Sequence, residues 1–120
     1  MADRPQQLTE AFTLMVDQHL DDLIHHRATE MLEIEQFAGM LHVHPIHLSN
    51  TIKEATGVSP CGIYQARIVK IARQLLVDPA YAIRDIALTL DFEPSQFTKW
   101  FRRFNGVSPK EYRKNHLLKS

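Results

Sequence analysis

Residues 34–60 and 83–109 are two copies of one unit. Moved along by 49 positions, Ile34 falls on Ile83, Ala38 on Ala87, Leu41 on Leu90 and Pro45 on Pro94, and Gly57-Val58-Ser59-Pro60 falls on Gly106-Val107-Ser108-Pro109. Other pairs keep chemical type: Phe37/Ile86, Val43/Phe92, Leu48/Phe97, Ser49/Thr98, Ile52/Phe101, Lys53/Arg102. A fixed-period repeat means one supersecondary unit used twice. Here the unit reads helix, tight turn, helix, glycine stop, Ser-Pro restart. That order predicts an all-α fold of about seven helices, with two helix-turn-helix units joined by a long linker helix.

Helical spacing of apolar residues recurs along the chain and sustained period-2 alternation does not, which excludes a sheet. The first helix is expected over residues 9–26, with Thr9 as N-cap and Leu8, Phe12, Met15, Val16, Leu20, Leu23 and Ile24 as its apolar stripe. The second covers 34–41 and the third 45–56, with Pro45 at the first helical position, where its missing N–H costs nothing. Ser59-Pro60 starts a fourth helix that stops before Asp78-Pro79, because proline disfavours helix in the residue before it. Helices over 83–90, 94–105 and from 109 onward complete the series. Glu33 and Ala82 are poor caps for the second and fifth. The organisation expected is 1–58 as an N-terminal helix-turn-helix subdomain, 59–78 as linker helix and 79–120 as a C-terminal helix-turn-helix subdomain.

The formal net charge is zero, which by itself argues against a nucleic-acid binder. Its distribution argues the other way. Residues 1–44 hold two basic and eight acidic side chains, whereas residues 93–120 hold seven basic and two acidic ones. A neutral total can thus hide a basic face. No apolar run approaches the ~20 residues that span a bilayer, and the N-terminus lacks a signal-peptide core. With one cysteine, Cys61, no internal disulfide forms. The expected location is cytoplasmic, and Cys61 reads as a small, partly buried filler.

The second helix of each unit has two faces. Leu48, Ile52 and Ala55 form an inward stripe, repeated by Phe97, Phe101 and Phe104. The outward sets differ between copies, as two distinct base sequences would require. A recognition helix meets base edges with its early positions, so Ile46, Ser49, Asn50, Ser95, Gln96, Thr98 and Lys99 are the base-facing candidates. Asn suits adenine, Lys suits guanine, and Ile packs on a thymine methyl. His47, Lys53, Arg102 and Arg103 are the phosphate candidates. Residues 60–77 of the linker, at 1.5 Å per residue a rod of ~27 Å, are of the right size to hold both helices against successive major-groove segments ~34 Å apart. Arg67, Lys70 and Arg73 on its polar side read as salt-bridged or solvated, with phosphate contact by one of them as the alternative.

With these residues in place, the chain resembles the DNA-binding domain of the AraC/XylS family of bacterial transcription regulators over about residues 30–115. The resemblance rests on Ala38-x-x-Leu41-x-Val43-x-Pro45-x-x-Leu48-Ser49, Gly57-Val58-Ser59-Pro60 and Arg67-Ile68 with Ala72-x-x-Leu75-Leu76. It rests equally on Ile83-x-x-Ile86-Ala87, Phe92-x-x-x-x-Phe97-Thr98-x-x-Phe101-Arg102 and Gly106-Val107-Ser108-Pro109-x-x-Tyr112-Arg113. It implies homeodomain-like units, a monomeric fragment that binds double-stranded DNA as an activator, contact with RNA polymerase, and no enzymatic activity, cofactor or membrane. Two departures stand out. Asp91 takes the place of the family's usual glycine in the second turn, and Asn50 stands where arginine is common.

Two rival readings follow from the residues. His42, His44 and His47 cluster as zinc ligands do, but they straddle the turn and helix start, with no cysteine or carboxylate to complete a set. The acidic first third, with Glu10, Asp17, Asp21 and Asp22, motivates a protein-interaction module with degenerate DNA binding. The plainer account of those carboxylates is a solvated outer face.

Overall fold

The computed structural model describes residues 3–117. Among these residues seven helices follow one another: α1 (Arg4–Ile24), α2 (Ile34–Met40), α3 (Pro45–Thr56), α4 (Pro60–Leu76), α5 (Ile83–Thr89), α6 (Pro94–Asn105) and α7 (Pro109–Leu117). The all-α expectation and the helix count hold.

Backbone bonding shows why the repeat folds as it does. In the first unit Leu41 N–H donates to Phe37 O at 3.0 Å, His42 to Gly39 O at 3.1 Å and Val43 to Ala38 O at 3.0 Å. In the second, Leu90 donates to Ile86 O at 3.1 Å, Asp91 to Leu88 O at 3.0 Å and Phe92 to Ala87 O at 2.8 Å. These are the same three bonds at equivalent positions. His42 and Asp91 both adopt left-handed backbone, at φ 59° and 64°. Gly57 and Gly106 end α3 and α6 at φ 78° and 77°, a conformation that glycine adopts without a Cβ clash. Ser59 Oγ accepts the Gly62 N–H at 3.0 Å and Ser108 Oγ accepts the Glu111 N–H at 3.1 Å. The Ser-Pro restarts are therefore N-caps followed by proline at the first helical position.

Several boundaries differ from the sequence expectation. α1 begins at Arg4, because Asp3 Oδ1 caps it by accepting the Gln6 N–H at 2.9 Å. Thr9 lies inside the helix, and its hydroxyl donates to Pro5 O at 2.7 Å. α1 ends at Ile24, since His26 turns left-handed at φ 60°. Glu33 serves α2 better than its type suggests: Gln36 Oε1 reaches back to accept the Glu33 N–H at 2.8 Å. Ala82 makes no side-chain cap on α5.

Buried residues of both units form one cluster. α1 contributes Phe12, Val16, Leu20 and Leu23, and it packs on α3 and α4. Phe37 sits between Phe12 (ring centroids 5.7 Å) and Tyr64 (5.2 Å), both edge-on. The second unit is closed by Phe97 and Phe101, with Tyr112 edge-on to Phe101 at 5.4 Å. The inward stripes end one residue early. Leu48, Ile52, Phe97 and Phe101 are fully buried, whereas Ala55 is exposed and Phe104 is 44% exposed. Both lie in the last helical turn, where the chain has already left the core. Cys61 is exposed, not a buried filler, because it follows Pro60 on the outer side of the first turn of α4.

Candidate nucleic-acid interface

α3 and α6 hold every residue that the sequence reading selected. At equivalent positions each presents a ridge at i, i+4, i+7 opposite its buried side: Ile46, Asn50 and Lys53 on α3, and Ser95, Lys99 and Arg102 on α6. All six are exposed, and Ile46 is 65% exposed although apolar. His47, Gln96, Thr98 and Arg103 flank these ridges and are exposed, while Ser49 is half-buried. Thr98 Oγ1 donates to Pro94 O at 3.1 Å, which leaves the hydroxyl oxygen free to accept.

The two ridges differ in charge. On α3, Lys53 stands beside Glu54 and is the one formal cation of the helix; on α6, Lys99, Arg102 and Arg103 meet no acidic residue after the capping Glu93. Arg102 and Arg103 do not occupy the same surroundings. The Arg103 guanidinium lies 5.8 Å from the Phe104 ring and lines a groove with Gln65 and Trp100. Arg102 is exposed on the outer ridge.

Some polar and charged groups elsewhere are already engaged. Arg27 binds Asp21 and Asp22, Arg67 binds Asp17 at 3.3 Å, and Arg73 donates to Asn105 Oδ1 at 2.6 Å. The acidic face of α1 is thus partly neutralised from within, more than a purely solvated face would be. Hydrogen bonds from Arg27 and then Gln18 hold the Asp22 carboxyl below its usual range.

Side chains outside the sequence candidates fix where the ridges lie. Trp100 Nε1 donates to Gln65 Oε1 at 2.8 Å, joining α6 to α4. Its position three residues after Phe97 was a legible signal, since i, i+3 neighbours share a face. The Arg113 guanidinium donates to Leu76 O at 2.8 Å and also to the carbonyls of Asp78 and Tyr81, so α7 closes the end of α4 and the loop after it. Between α1 and α2, Leu32 is held at both polar groups. His19 Nε2 accepts its N–H at 3.0 Å, and the Tyr64 hydroxyl donates to its carbonyl at 2.9 Å. Burial lowers the His19 pKa, opposed by Asp22, and burial raises that of Tyr64.

His44 Nδ1 caps α3 by accepting the Ile46 N–H at 3.1 Å. Among the described residues no group of three or more His, Cys, Asp or Glu side chains is placed to hold a metal ion. Nor, among them, is any helix long and apolar enough to cross a membrane.

This arrangement defines a double helix-turn-helix protein. A family model described as a helix-turn-helix domain matches residues 37–115, and the chain belongs to the AraC-type DNA-binding domains of transcription regulators, a family of regulators and not of enzymes. It is 31% identical over 91 residues to the uncharacterised HTH-type transcriptional regulator YobQ of Bacillus subtilis, covering 75% of this chain and 38% of that one. It is 27% identical over 114 residues to YtdP of the same organism, covering 94% of this chain and 15% of that one. The chain therefore spans well under half the length of these relatives. Its fold is similar to the C-terminal domain of AraT, a response regulator from Geobacillus stearothermophilus, at TM-score 0.79, 24% identity and coverage of 94% and 88%. It is also similar to the DNA-binding domain of AdpA, solved in complex with a target DNA, at TM-score 0.68, 22% identity and coverage of 83% and 94%.

Proposed function

We propose that this domain reads double-stranded DNA sequence-specifically through α3 and α6, set in successive major-groove segments, and that it activates transcription as a monomeric unit in contact with RNA polymerase. One observation carries the reading: the two turns, the glycine stops and the Ser-Pro restarts repeat bond for bond, while the exposed ridges differ. A duplicated scaffold with unlike outer faces suits two unlike half-sites. The similar AdpA domain has a target DNA. The long axis of 45 Å exceeds one turn of duplex, ~34 Å. In this reading residues 1–58 and 79–120 are the reading subdomains and 59–78 the spacer. Ile46, Ser49, Asn50, Ser95, Gln96, Thr98 and Lys99 meet bases; His47, Lys53, Arg102 and Arg103 meet phosphates.

Selection from a random duplex pool tests this. The expected product is a pair of short motifs about one turn apart. Asn50→Ala should relax base preference in one motif and Lys99→Ala in the other, each by ~1–3 kcal/mol. If both variants relax the same base positions, two separate reading helices are not at work.

A further inference from the structure

We propose that Asp91 is a positioning residue: it fixes the angle between the two reading helices and thereby the half-site spacing that the domain accepts. This rests on the two-helix reading above.

Asp91 Oδ2 accepts the Met31 N–H at 2.8 Å, across 60 residues of chain. Both ends of this bond are anchored. On one side, the neighbouring Leu32 is tied to α1 through His19 and to α4 through Tyr64, so residues 31–32 move with the first unit. On the other, the turn carrying Asp91 is closed by the bonds from Asp91 to Leu88 O and from Phe92 to Ala87 O. Asp91 is two residues ahead of Glu93, the N-cap of α6, so it moves with the second reading helix.

α4 runs between the units as a rod and sets their separation. The Trp100–Gln65 and Arg73–Asn105 bonds tie α6 to that rod, and a direct tie between the two units has to come from contacts away from it. The Asp91–Met31 bond is such a contact, and its carboxylate acceptor makes it both directional and short. Apolar packing of Ile24 beside Leu75 and Ile86 supplies contact at the same junction without direction. The backbone at Asp91 is left-handed, which glycine adopts at no steric cost and aspartate only at some cost. A side chain there brings a loss that the bond to Met31 offsets. At the equivalent turn position the first unit carries His42 in place of a carboxylate, so this use of the turn belongs to the second unit.

One added base pair moves a half-site by about 3.4 Å and turns it by about 35°. A domain held at one angle rejects that change, and a hinged one follows it.

Three proteins are compared: the wild type, Asp91→Gly, which suits left-handed backbone but has no acceptor, and Asp91→Asn, which keeps an acceptor and tolerates the backbone. Residual dipolar couplings of backbone amides, measured without DNA, report the angle directly. One alignment tensor should fit both units in the wild type and Asp91→Asn, and two should be needed in Asp91→Gly. Affinity is then measured on duplexes with the selected half-sites at the preferred spacing and with one base pair inserted or removed. Wild type and Asp91→Asn should lose about tenfold, and Asp91→Gly no more than about threefold, because a flexible joint restores simultaneous engagement. An Asp91→Gly protein with one tensor and the wild-type spacing profile overturns the proposal, as does Asp91→Asn behaving like Asp91→Gly. If selection yields no paired half-sites, the two-helix reading fails instead, and the couplings alone decide whether Asp91 sets the angle.

Discussion

Neutralising Arg102 and Arg103 together, as Arg102→Gln/Arg103→Gln, should flatten the salt dependence of DNA binding. Each phosphate neutralised contributes about −0.9 to the slope of log affinity against log salt, so losing two contacts should change the slope by about 1.8 units. A fourfold rise in salt, from about 50 to about 200 mM, then weakens the double variant roughly tenfold less than the wild type. The two residues reach this total from different starting points. Arg102 stands exposed on the outer ridge of α6. Arg103 lies 5.8 Å from the half-exposed Phe104 ring, an exposed cation–π contact of about 0.5–1 kcal/mol, small enough to yield to a phosphate. Both arginines sit in the last turn of α6, so each substitution also removes about 0.3–1 kcal/mol of favourable helix-end charge, which a melting curve measures separately. Lys53→Gln should change the slope by about 0.9 unit at most, since α3 offers one cation beside Glu54. The assay is fluorescence anisotropy on one fixed duplex across a salt series. An unchanged slope in the double variant places both guanidiniums off the DNA and favours a protein-interaction surface.

Two further outcomes concern the scaffold. The His19 pKa is lowered by burial, so the unfolded chain takes up its proton first as pH falls; stability should therefore drop as pH goes below about 6.5, with urea midpoints shifting less in His19→Gln than in the wild type. A wild-type pH dependence retained in full by His19→Gln would remove His19 as its source. Phe101→Ala empties a fully buried site against Phe97 and Tyr112 and should cost about 3–5 kcal/mol in urea unfolding. Phe104→Ala, at the 44% exposed end of the same stripe, should cost well under half of that; equal losses would contradict the observed end of the core.

The sequence by itself determined the number and order of helices, the duplication and the outward ridges. Each of these depends on local signals: apolar residues at helical spacing, Ser-Pro restarts, glycine after the last turn. Such signals act within a few residues and need no knowledge of neighbours in space. Tertiary structure alone decided the rest. Ala55 and Phe104 continue their stripes by spacing, yet the core ends before them. Thr9 is a good cap by type, but Asp3 and Pro5 start the helix one and a half turns earlier. His19 has no sequence mark of burial, since its role depends on an N–H thirteen residues away at Leu32. Asp91 reads locally as a turn residue, and only the approach of the α1–α2 loop gives its carboxylate a partner. The candidate interface was legible because each proposed reading helix would carry its own contact residues. The side chains that aim those helices were not, because Gln65, Trp100, Arg113 and Asp91 act on partners far away in the chain, and pairing at that range is set by packing and not by pattern.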